Sequence, residues 1–318
     1  MNVLVTGAKG FIGSHLVNRL KDMGCWVRSV DVKNESHLPT REDEFHQLDL
    51  RSYGNAEKAV KDVKRVFHLA ANMGGIGFIT KVGAEVMRDN VLINANMIEA
   101  CNQNSVERIL FSSSACTYPT HLQTNPKVEP LKEEDAWPAD PDNFYGVEKL
   151  FTEKLLEAYH RDHGLNVRIS RQHSIYGPYC TFKGGREKAL AALCRKVALA
   201  KDGDSITVWG DGNQTRSFLY IDDLVEVLAL LMESSFTKPL NVGSDRLVTI
   251  DELTRLIIEV SGKRLRVQHD LSKPVGVIGR NADLRIIKYV LDWKPKVTLE
   301  EGLEKTYNWI HEQVQKNG

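Results

Sequence analysis

Four side chains near the middle of the chain have the chemistry for proton transfer. Tyr145 and Lys149 stand four residues apart in DNFYGVEKL, a spacing that places both on one face of a helix. A lysine ammonium lowers the pKa of a neighbouring phenol, so Tyr145 is predicted to take a proton from a substrate hydroxyl. Ser114 and Cys116 lie in SSSACTYP, and Ser114 could hydrogen-bond the same reacting oxygen. We therefore predict a catalytic site at a hydroxyl-bearing carbon.

A glycine-rich turn predicts a dinucleotide site beside these residues. In VLVTGAKGFIGSHL, Gly7, Gly10 and Gly13 separate a strand-like run from a helical pattern. The glycines let the backbone turn tightly and approach a pyrophosphate, which the helix N-terminus stabilises. Asp31 ends the next strand-like run, where a carboxylate accepts from a ribose 2′-hydroxyl and repels a 2′-phosphate, which favours NAD over NADP. The predicted NAD contacts are Gly7, Gly10, Phe11, Ile12, Gly13, Asp31, Asp49, Leu50, Leu69, Ala70, Ala71, Tyr145 and Lys149.

Alternating strands and helices must hold these residues together. Amphipathic stretches separate short β-rich runs at 3–6, 26–30, 66–69, 109–112 and 167–170. This alternation predicts right-handed βαβ units and an α/β fold with a doubly wound parallel sheet of the Rossmann type. Such sheets bind ligands at the carboxyl ends of their strands, where Ser114 and Cys116 lie. We expect an NAD-binding domain at 1–173 plus about 214–242, interleaved with a smaller substrate domain at about 174–213 plus 243–318.

The composition excludes several classes of partner. Lysine plus arginine equal aspartate plus glutamate at 42 each, so no overall field favours nucleic acid. No apolar run approaches the ~20 residues of a membrane span, and the first residues enter a strand without a signal peptide. The five cysteines are scattered and form no CxxC pair, which argues for a reducing cytoplasm and against disulfides or a metal site.

The motifs together resemble a known family. The glycine triplet and the set Ser114, Tyr145 and Lys149 are similar to those of extended short-chain dehydrogenases/reductases that act on nucleotide sugars. The segments LAANMGGIGFI, GPYCTFKGGREKA, WGDGNQTRSF and GRNADL narrow the resemblance to its branch that inverts carbons 3 and 5 of GDP-mannose. The resemblance covers nearly the whole chain and implies GDP-L-galactose as product, with GDP-L-gulose after inversion at carbon 5 alone.

The resemblance also assigns roles beyond the redox step. Oxidation at carbon 4 acidifies the protons on carbons 3 and 5, and each inversion needs one group to remove a proton and another to return one. The resemblance implies that Cys116 and Lys188 are this acid/base pair, since both can titrate near neutrality when their surroundings shift them. The substrate contacts it implies are Gly74, Gly75, Ser114, Ala115, Cys116, Ser174, Glu187, Lys188, Ala189, Lys196, Gln214, Thr215, Arg216 and Arg280.

The sequence departs from the family's motif at one position, and several alternative functions stay open. The family commonly has asparagine where this chain has Ser174, so a substrate contact is weakened or water-mediated and the choice of hexose is in doubt. A net oxidoreductase similar to GDP-fucose synthase would need NADPH, against which Asp31 argues. Another nucleotide-sugar 4-epimerase or dehydratase, and a scaffold that only senses nucleotides, are further alternatives. The helices near 90–102 and 146–160, with the tail helix, suggest by resemblance a homodimer.

Overall fold

A seven-stranded parallel sheet forms the centre of the molecule, which is a computed structural model describing residues 1–316. The strands are β1 (Asn2–Thr6), β2 (Trp26–Asp31), β3 (Glu44–Gln47), β4 (Arg65–His68), β5 (Arg108–Ser114), β6 (Val167–Gln172), β7 (Ile175–Tyr176), β8 (Ser205–Trp209), β9 (Thr215–Ser217), β10 (Leu219–Tyr220), β11 (Pro239–Val242), β12 (Leu247–Thr249), β13 (Arg266–Asp270) and β14 (Gly279–Arg280). The order in the central sheet is β11-β6-β5-β4-β1-β2-β3. The order reverses between β1 and β4, which opens a crevice there at the carboxyl ends of the strands.

The predicted doubly wound sheet is confirmed. All the predicted β-rich runs are strands of this sheet, and their central residues are buried because helices cover both faces. The patterns did not predict β11, a four-residue edge strand that begins with Pro239. Proline is tolerated at the first position of an edge strand because no ladder hydrogen bond is lost there.

Helices cover the sheet in two layers. They are α1 (Phe11–Asp22), α2 (Tyr53–Val60), α3 (Ile76–Ile79), α4 (Gly83–Gln103), α5 (Phe144–His163), α6 (Ala189–Leu199), α7 (Ile221–Glu233), α8 (Ile250–Ser261), α9 (Arg285–Leu291) and α10 (Leu299–Lys316). The apolar residues of α2, α4 and α5 share one core, and those of α1, α6, α7, α8 and α10 share the other. None of these helices, within residues 1–316, is long and apolar enough to cross a membrane.

Smaller strand groups follow β6. Strands β12, β9 and β14 form a three-stranded sheet, β13 pairs with β8, and β10 pairs with β7. All seven strands of the central sheet lie in the predicted NAD-binding ranges. However, β9, which was placed in those ranges, pairs with β12 and β14 of the predicted substrate domain. The division into two domains stays a prediction.

Candidate active site

The glycine-rich turn is shaped by close backbone packing. Gly7 has a φ of +67°, and a Cβ there would lie 2.9 Å from the Ala70 nitrogen. A Cβ on Gly13 would collide with the Gly7 carbonyl oxygen. Gly10 is the N-cap of α1, and its amide donates to the Gly7 carbonyl at 3.0 Å. The turn therefore leaves the first amides of α1 at the cavity wall, which suits a pyrophosphate.

Two backbone amides fix the Asp31 carboxylate at the end of β2. One carboxylate oxygen accepts from the Lys9 amide at 2.9 Å and the other accepts from the Lys33 amide at 3.0 Å. Asp49 lies along the same wall, where Arg51 binds its carboxylate and holds the pKa of that carboxyl below its usual range. A carboxylate fixed by two backbone amides fits the ribose hydroxyls of NAD.

One cavity of about 680 Å³ brings the predicted cofactor and catalytic residues together. Its wall contains all the predicted NAD contacts, the five predicted catalytic residues and Gly74. The remaining predicted substrate residues lie outside this wall: Gly75, Ala115, Ser174, Glu187, Ala189, Lys196, Gln214, Thr215, Arg216 and Arg280. The cavity therefore joins the predicted dinucleotide contacts to the predicted catalytic residues, and it contains only four of the predicted substrate contacts.

Ser114, Tyr145 and Lys149 meet where β5 ends and α5 begins. The Cys116 amide donates to the Ser114 hydroxyl at 3.1 Å, which fixes the turn after β5. α5 packs so closely on this turn that a Cβ on Gly146 would collide with the Cys116 carbonyl oxygen. The Lys149 ammonium lies 5.5 Å from the centre of the Tyr145 ring. The predicted grouping of these residues is therefore what the structure shows.

The expected lowering of the Tyr145 pKa does not occur in the protein alone. Burial raises the pKa of Tyr145 well above its ordinary value, the charges of Glu148 and Cys116 add to this, and a hydrogen bond with Ser114 opposes it. Burial also lowers the pKa of Lys149, although the charge of Glu148 partly restores it. The interpretation from spacing was wrong because it ignored the desolvation of a phenol and an amine in the same enclosed site.

Cys116 and Lys188 reach the cavity from different parts of the fold. Cys116 follows β5, whereas Lys188 is the N-cap of α6. The Lys188 side chain stays accessible, but the surrounding protein lowers its pKa by desolvation, and negative charge at Cys116 or Cys180 would raise it. The desolvated amine can therefore exchange protons at a lower pH than a free lysine.

The loop that carries Gly74 and Gly75 packs against the segment that carries Lys188. The Gly75 amide donates to the Arg186 carbonyl at 3.0 Å, and a Cβ on Gly75 would collide with the Glu187 carbonyl oxygen. The Arg186 guanidinium donates to the Asn72 side chain at 3.0 Å. Gly75 was expected to let the backbone approach the sugar, but here its missing side chain lets these two loops meet.

Arg280 contacts the thiol of Cys116. Its Nη1 donates to the Cys116 sulfur at 3.4 Å and its Nε donates to Gln123 Oε1 at 2.5 Å. Arg280 also pairs in register with Arg216 across β14 and β9. Burial, followed by the charge of Arg280, lowers the pKa of Arg216 to about 10. Two neighbouring guanidinium groups form an electrostatically unfavourable pair that an anion would relieve.

The other predicted substrate residues have protein partners. Lys196 donates to the Thr207 carbonyl at 2.5 Å, and Gln214 donates to the Trp209 carbonyl at 2.8 Å. The Thr215 hydroxyl donates to the Pro126 carbonyl, and Glu187 pairs with Arg195. Ser174 is half-buried after β6, with its carbonyl accepting from the Leu219 amide. Ala115 is buried in the turn after β5, and Ala189 begins α6.

A buried polar network behind Lys149 was not found from the sequence. Glu148 is fully buried, lies 3.9 Å from the Lys149 ammonium and accepts from Asn90 and Asn94. Asn94 also hydrogen-bonds His68, at 2.9 Å. The spacing of Asn90 and Asn94, one helical turn apart on α4, is the signal that could have indicated a polar stripe facing α5.

The fold and the site define a dinucleotide-dependent enzyme in which Tyr145 and Lys149 line a cavity above a Rossmann-type sheet. The chain belongs to the NAD dependent epimerase/dehydratase family, whose model matches residues 3–243. NAD is therefore its cofactor.

Comparison with known proteins shows which members of this family the chain is similar to. The chain is 46% identical to GDP-mannose 3,5-epimerase of Arabidopsis thaliana, over 99% of this chain and 84% of that protein. It is 33% identical to the probable GDP-L-fucose synthase 1 of Oryza sativa subsp. japonica, over 98% of this chain and 92% of that protein. Among solved structures, UDP-glucose 4-epimerase of Thermotoga maritima with UDP-glucose matches with a TM-score of 0.90 at 28% identity, covering 99% of this chain and all of that one.

Proposed function

We propose that the protein inverts carbons 3 and 5 of the hexose of GDP-mannose, which gives GDP-L-galactose, with GDP-L-gulose after inversion at carbon 5 alone. The observation that carries the proposal is that Cys116 and Lys188 line the same cavity as Ser114, Tyr145 and Lys149. A redox site alone needs neither the thiol nor the second amine. The 46% identity to a GDP-mannose 3,5-epimerase supports the same substrate.

The redox part of the reaction uses Tyr145 as the base at carbon 4. NAD, when bound, supplies a reversible hydride acceptor and, in its oxidised form, a positive charge beside the phenol. Tyr145 takes the proton of the carbon 4 hydroxyl, and Ser114 holds that oxygen. Lys149 contributes the fixed positive charge that stabilises the phenolate, which burial otherwise disfavours. At the end the hydride returns to carbon 4 and Tyr145 returns its proton to the oxygen, so no net oxidation occurs.

The inversion part uses the thiol and the amine. The 4-ketone makes the protons on carbons 3 and 5 acidic, and removal of either leaves an enolate whose charge is shared with the ketone oxygen. Cys116 lies in the turn after β5 and Lys188 is the N-cap of α6, so one group can remove a proton while the other returns one. Their separate origins match the need for proton donors and acceptors on different sides of the sugar.

Arg216 and Arg280 form the candidate diphosphate site. They stand side by side on paired strands, and the Arg280 Nη2 is buried without a hydrogen-bond partner among residues 1–316. Guanidinium groups bind phosphate oxygens through charge-assisted hydrogen bonds. A diphosphate here would place the attached hexose towards Cys116, which Arg280 already contacts.

The experiment is incubation with GDP-mannose in heavy water, with no nicotinamide added, followed by NMR of the sugar. We expect deuterium at carbons 3 and 5 from the wild type and from Cys25→Ala, whose thiol lies away from the site before β2. Cys116→Ala should keep NAD bound and lose most of the label. Native labelling by Cys116→Ala would refute the assignment of the thiol.

The two alternative reactions predict different outcomes for this labelling experiment. A reductase similar to GDP-L-fucose synthase would leave GDP-mannose unlabelled, because this sugar has no ketone to reduce. In a separate tube it would consume NADPH when given a 4-keto sugar nucleotide. A 4-epimerase would change the configuration at carbon 4 and leave carbons 3 and 5 unlabelled. Either result would replace the proposed reaction while leaving the NAD site intact.

A homodimer through α4 and α5 is also proposed. Phe144, Val147 and Phe151 form one stripe on α5 and are 60%, 37% and 50% exposed, and Leu92 on α4 is 43% exposed. Such a stripe on paired helices is typical of a helix-bundle interface. The tail helix α10 packs instead on α6 and α8. Phe151→Glu should convert a dimer into a monomer in light scattering, whereas Leu271→Glu should not. A monomeric wild type would refute the proposal.

A reducing cytoplasm and the two-domain division complete the proposal. Cys25, Cys101, Cys116, Cys180 and Cys194 are all free thiols, as a reducing compartment would keep them. The strand pairing of β9 suggests that the second NAD-binding segment begins at about residue 218 rather than 214. Limited proteolysis that cuts near residues 174 and 218 would support this boundary.

A further inference from the structure

The side-chain nitrogen Nε2 of Gln172 is buried in the cavity wall without a hydrogen-bond partner among residues 1–316. Gln172 is 9% exposed, and no hydrogen bond joins its side chain to another of residues 1–316. A buried amide without partners costs about 1–3 kcal/mol. Its side chain nevertheless lines the cavity that contains Ser114, Tyr145 and Lys149. Such a group at a cavity wall indicates that a ligand supplies its missing partner.

The position of Gln172 indicates which part of a ligand it faces. Gln172 is the last residue of β6 and pairs in register with Ser114, so the two side chains lie on the same face of the sheet. From Asp31 at the end of β2, the sheet continues through β1, β4 and β5 to β6, a distance of about 19 Å at ~4.8 Å per strand. Gln172 therefore lies at the end of the cavity opposite to the adenosine ribose.

We propose that Gln172 is the protein partner of the nicotinamide carboxamide of NAD. A carboxamide presents one acceptor and two donors, and the glutamine amide presents the same set, so the two groups can pair reciprocally. Gln172 is still part of strand β6, whereas Cys116 and Lys188 lie beyond the ends of the strands. In the proposed reaction the hexose lies between Cys116 and Lys188. The proposal needs only NAD and holds whichever hexose reaction the enzyme performs.

The pairing has an unusual consequence for stability. Gln172→Met keeps the length of the side chain and removes an unsatisfied amide, so the NAD-free protein should melt at the same temperature or higher. The matched control is Gln123→Met, because the Gln123 amide donates to two carbonyls and accepts from Arg280. That variant should melt at a lower temperature. Gln172→Leu repeats the first test with a different shape.

Binding measurements on the NAD-free protein test whether Gln172 binds the nicotinamide carboxamide. Titration calorimetry should show NAD binding about 5- to 30-fold weaker in Gln172→Met, the fold-change that loss of one or two neutral hydrogen bonds produces. The wild type should bind 3-acetylpyridine adenine dinucleotide, which lacks the amide nitrogen, several-fold more weakly than NAD. Gln172→Met should lose that preference.

Each other result would overturn the proposal. Equal NAD affinity in wild type and variant, or an unchanged preference for NAD over the acetylpyridine analogue, would show that Gln172 does not bind the carboxamide. Unchanged NAD affinity with weaker GDP-mannose binding would make Gln172 a hexose contact instead. A variant that melts lower without NAD would show that the amide has a structural partner. None of these results depends on the labelling experiment that tests the epimerase.

Discussion

Removal of the Arg280 guanidinium tests the candidate diphosphate site. Arg280→Met keeps a linear apolar stem and removes three nitrogens, of which one contacts Cys116 and one contacts Gln123. The third, Nη2, has no hydrogen-bond partner among the described residues. Its nearest carboxylate is that of Asp142, at 3.9 Å, beyond hydrogen-bond distance. A phosphate oxygen is the expected partner of this nitrogen.

The expected loss of GDP affinity follows from these contacts of the three nitrogens. One charge-assisted hydrogen bond to a phosphate contributes about 1.5–3 kcal/mol, so GDP should bind about 10- to 150-fold more weakly to Arg280→Met. The substitution also removes the repulsion between Arg280 and the like charge of Arg216 on the paired strand, which reduces the loss of affinity. The lower half of the range is therefore the better expectation.

Titration calorimetry with GDP at two salt concentrations is the assay. The wild-type affinity should fall with added salt, and the variant should fall less because it carries one cation fewer at the phosphate. Arg285→Met is the matched control, since it removes the same charge from an exposed arginine whose side chain pairs, among residues 1–316, only with Asp283. GDP affinity that is equal in wild type and Arg280→Met, with the variant folded, would refute the site.

Three further predictions concern stability and proton transfer. Burial lowers the pKa of His68 and His173 to about 3. The unfolded chain therefore binds more protons, and the stability present above pH 6.5 is lost towards pH 3, by about 2 kcal/mol per ring at pH 5 in urea unfolding. Glu153→Gln leaves the buried Arg171 without its carboxylate and should destabilise the fold by about 3–5 kcal/mol in calorimetry. Lys188→Arg keeps the charge but cannot exchange protons near neutrality, so deuterium labelling should fall about 100-fold, and native labelling would exclude the amine.

The parts of the site that depend on short spacings could be predicted from the sequence. A glycine turn between a strand and a helix has one geometry that suits a pyrophosphate, and Gly7 and Gly13 adopt it. Tyr145 and Lys149 share a helix, so their grouping follows from helical periodicity. The parallel sheet then places Ser114 and Asp31 at the same edge. Each of these inferences uses only local geometry and the order of strands.

The parts that depend on tertiary packing could not be predicted. Arg280 reaches Cys116 across 164 residues of chain, and no spacing signals that contact. The role of Gly75 in packing against Glu187 is likewise visible only after the loops have met. The pKa of Tyr145 was misjudged because the sequence reports its charged neighbours but not how completely the protein excludes water from the phenol.

The buried network explains how redox and inversion groups can share one cavity. Asn90 donates to Glu148 beside Lys149. Its amide oxygen also accepts from the Asn72 backbone amide, and its amide nitrogen donates to the Asn72 carbonyl. Asn72 in turn accepts from Arg186, two residues before Lys188, the N-cap of α6. Because unpaired polar groups are costly inside a protein, this chain of hydrogen bonds holds the loop and the helix start at fixed distances from Lys149. The segment that carries Lys188, proposed for inversion, is thus positioned by the same buried side chains that surround Lys149, proposed for the redox step. Loss of Asn90 should therefore disturb both proposed steps together.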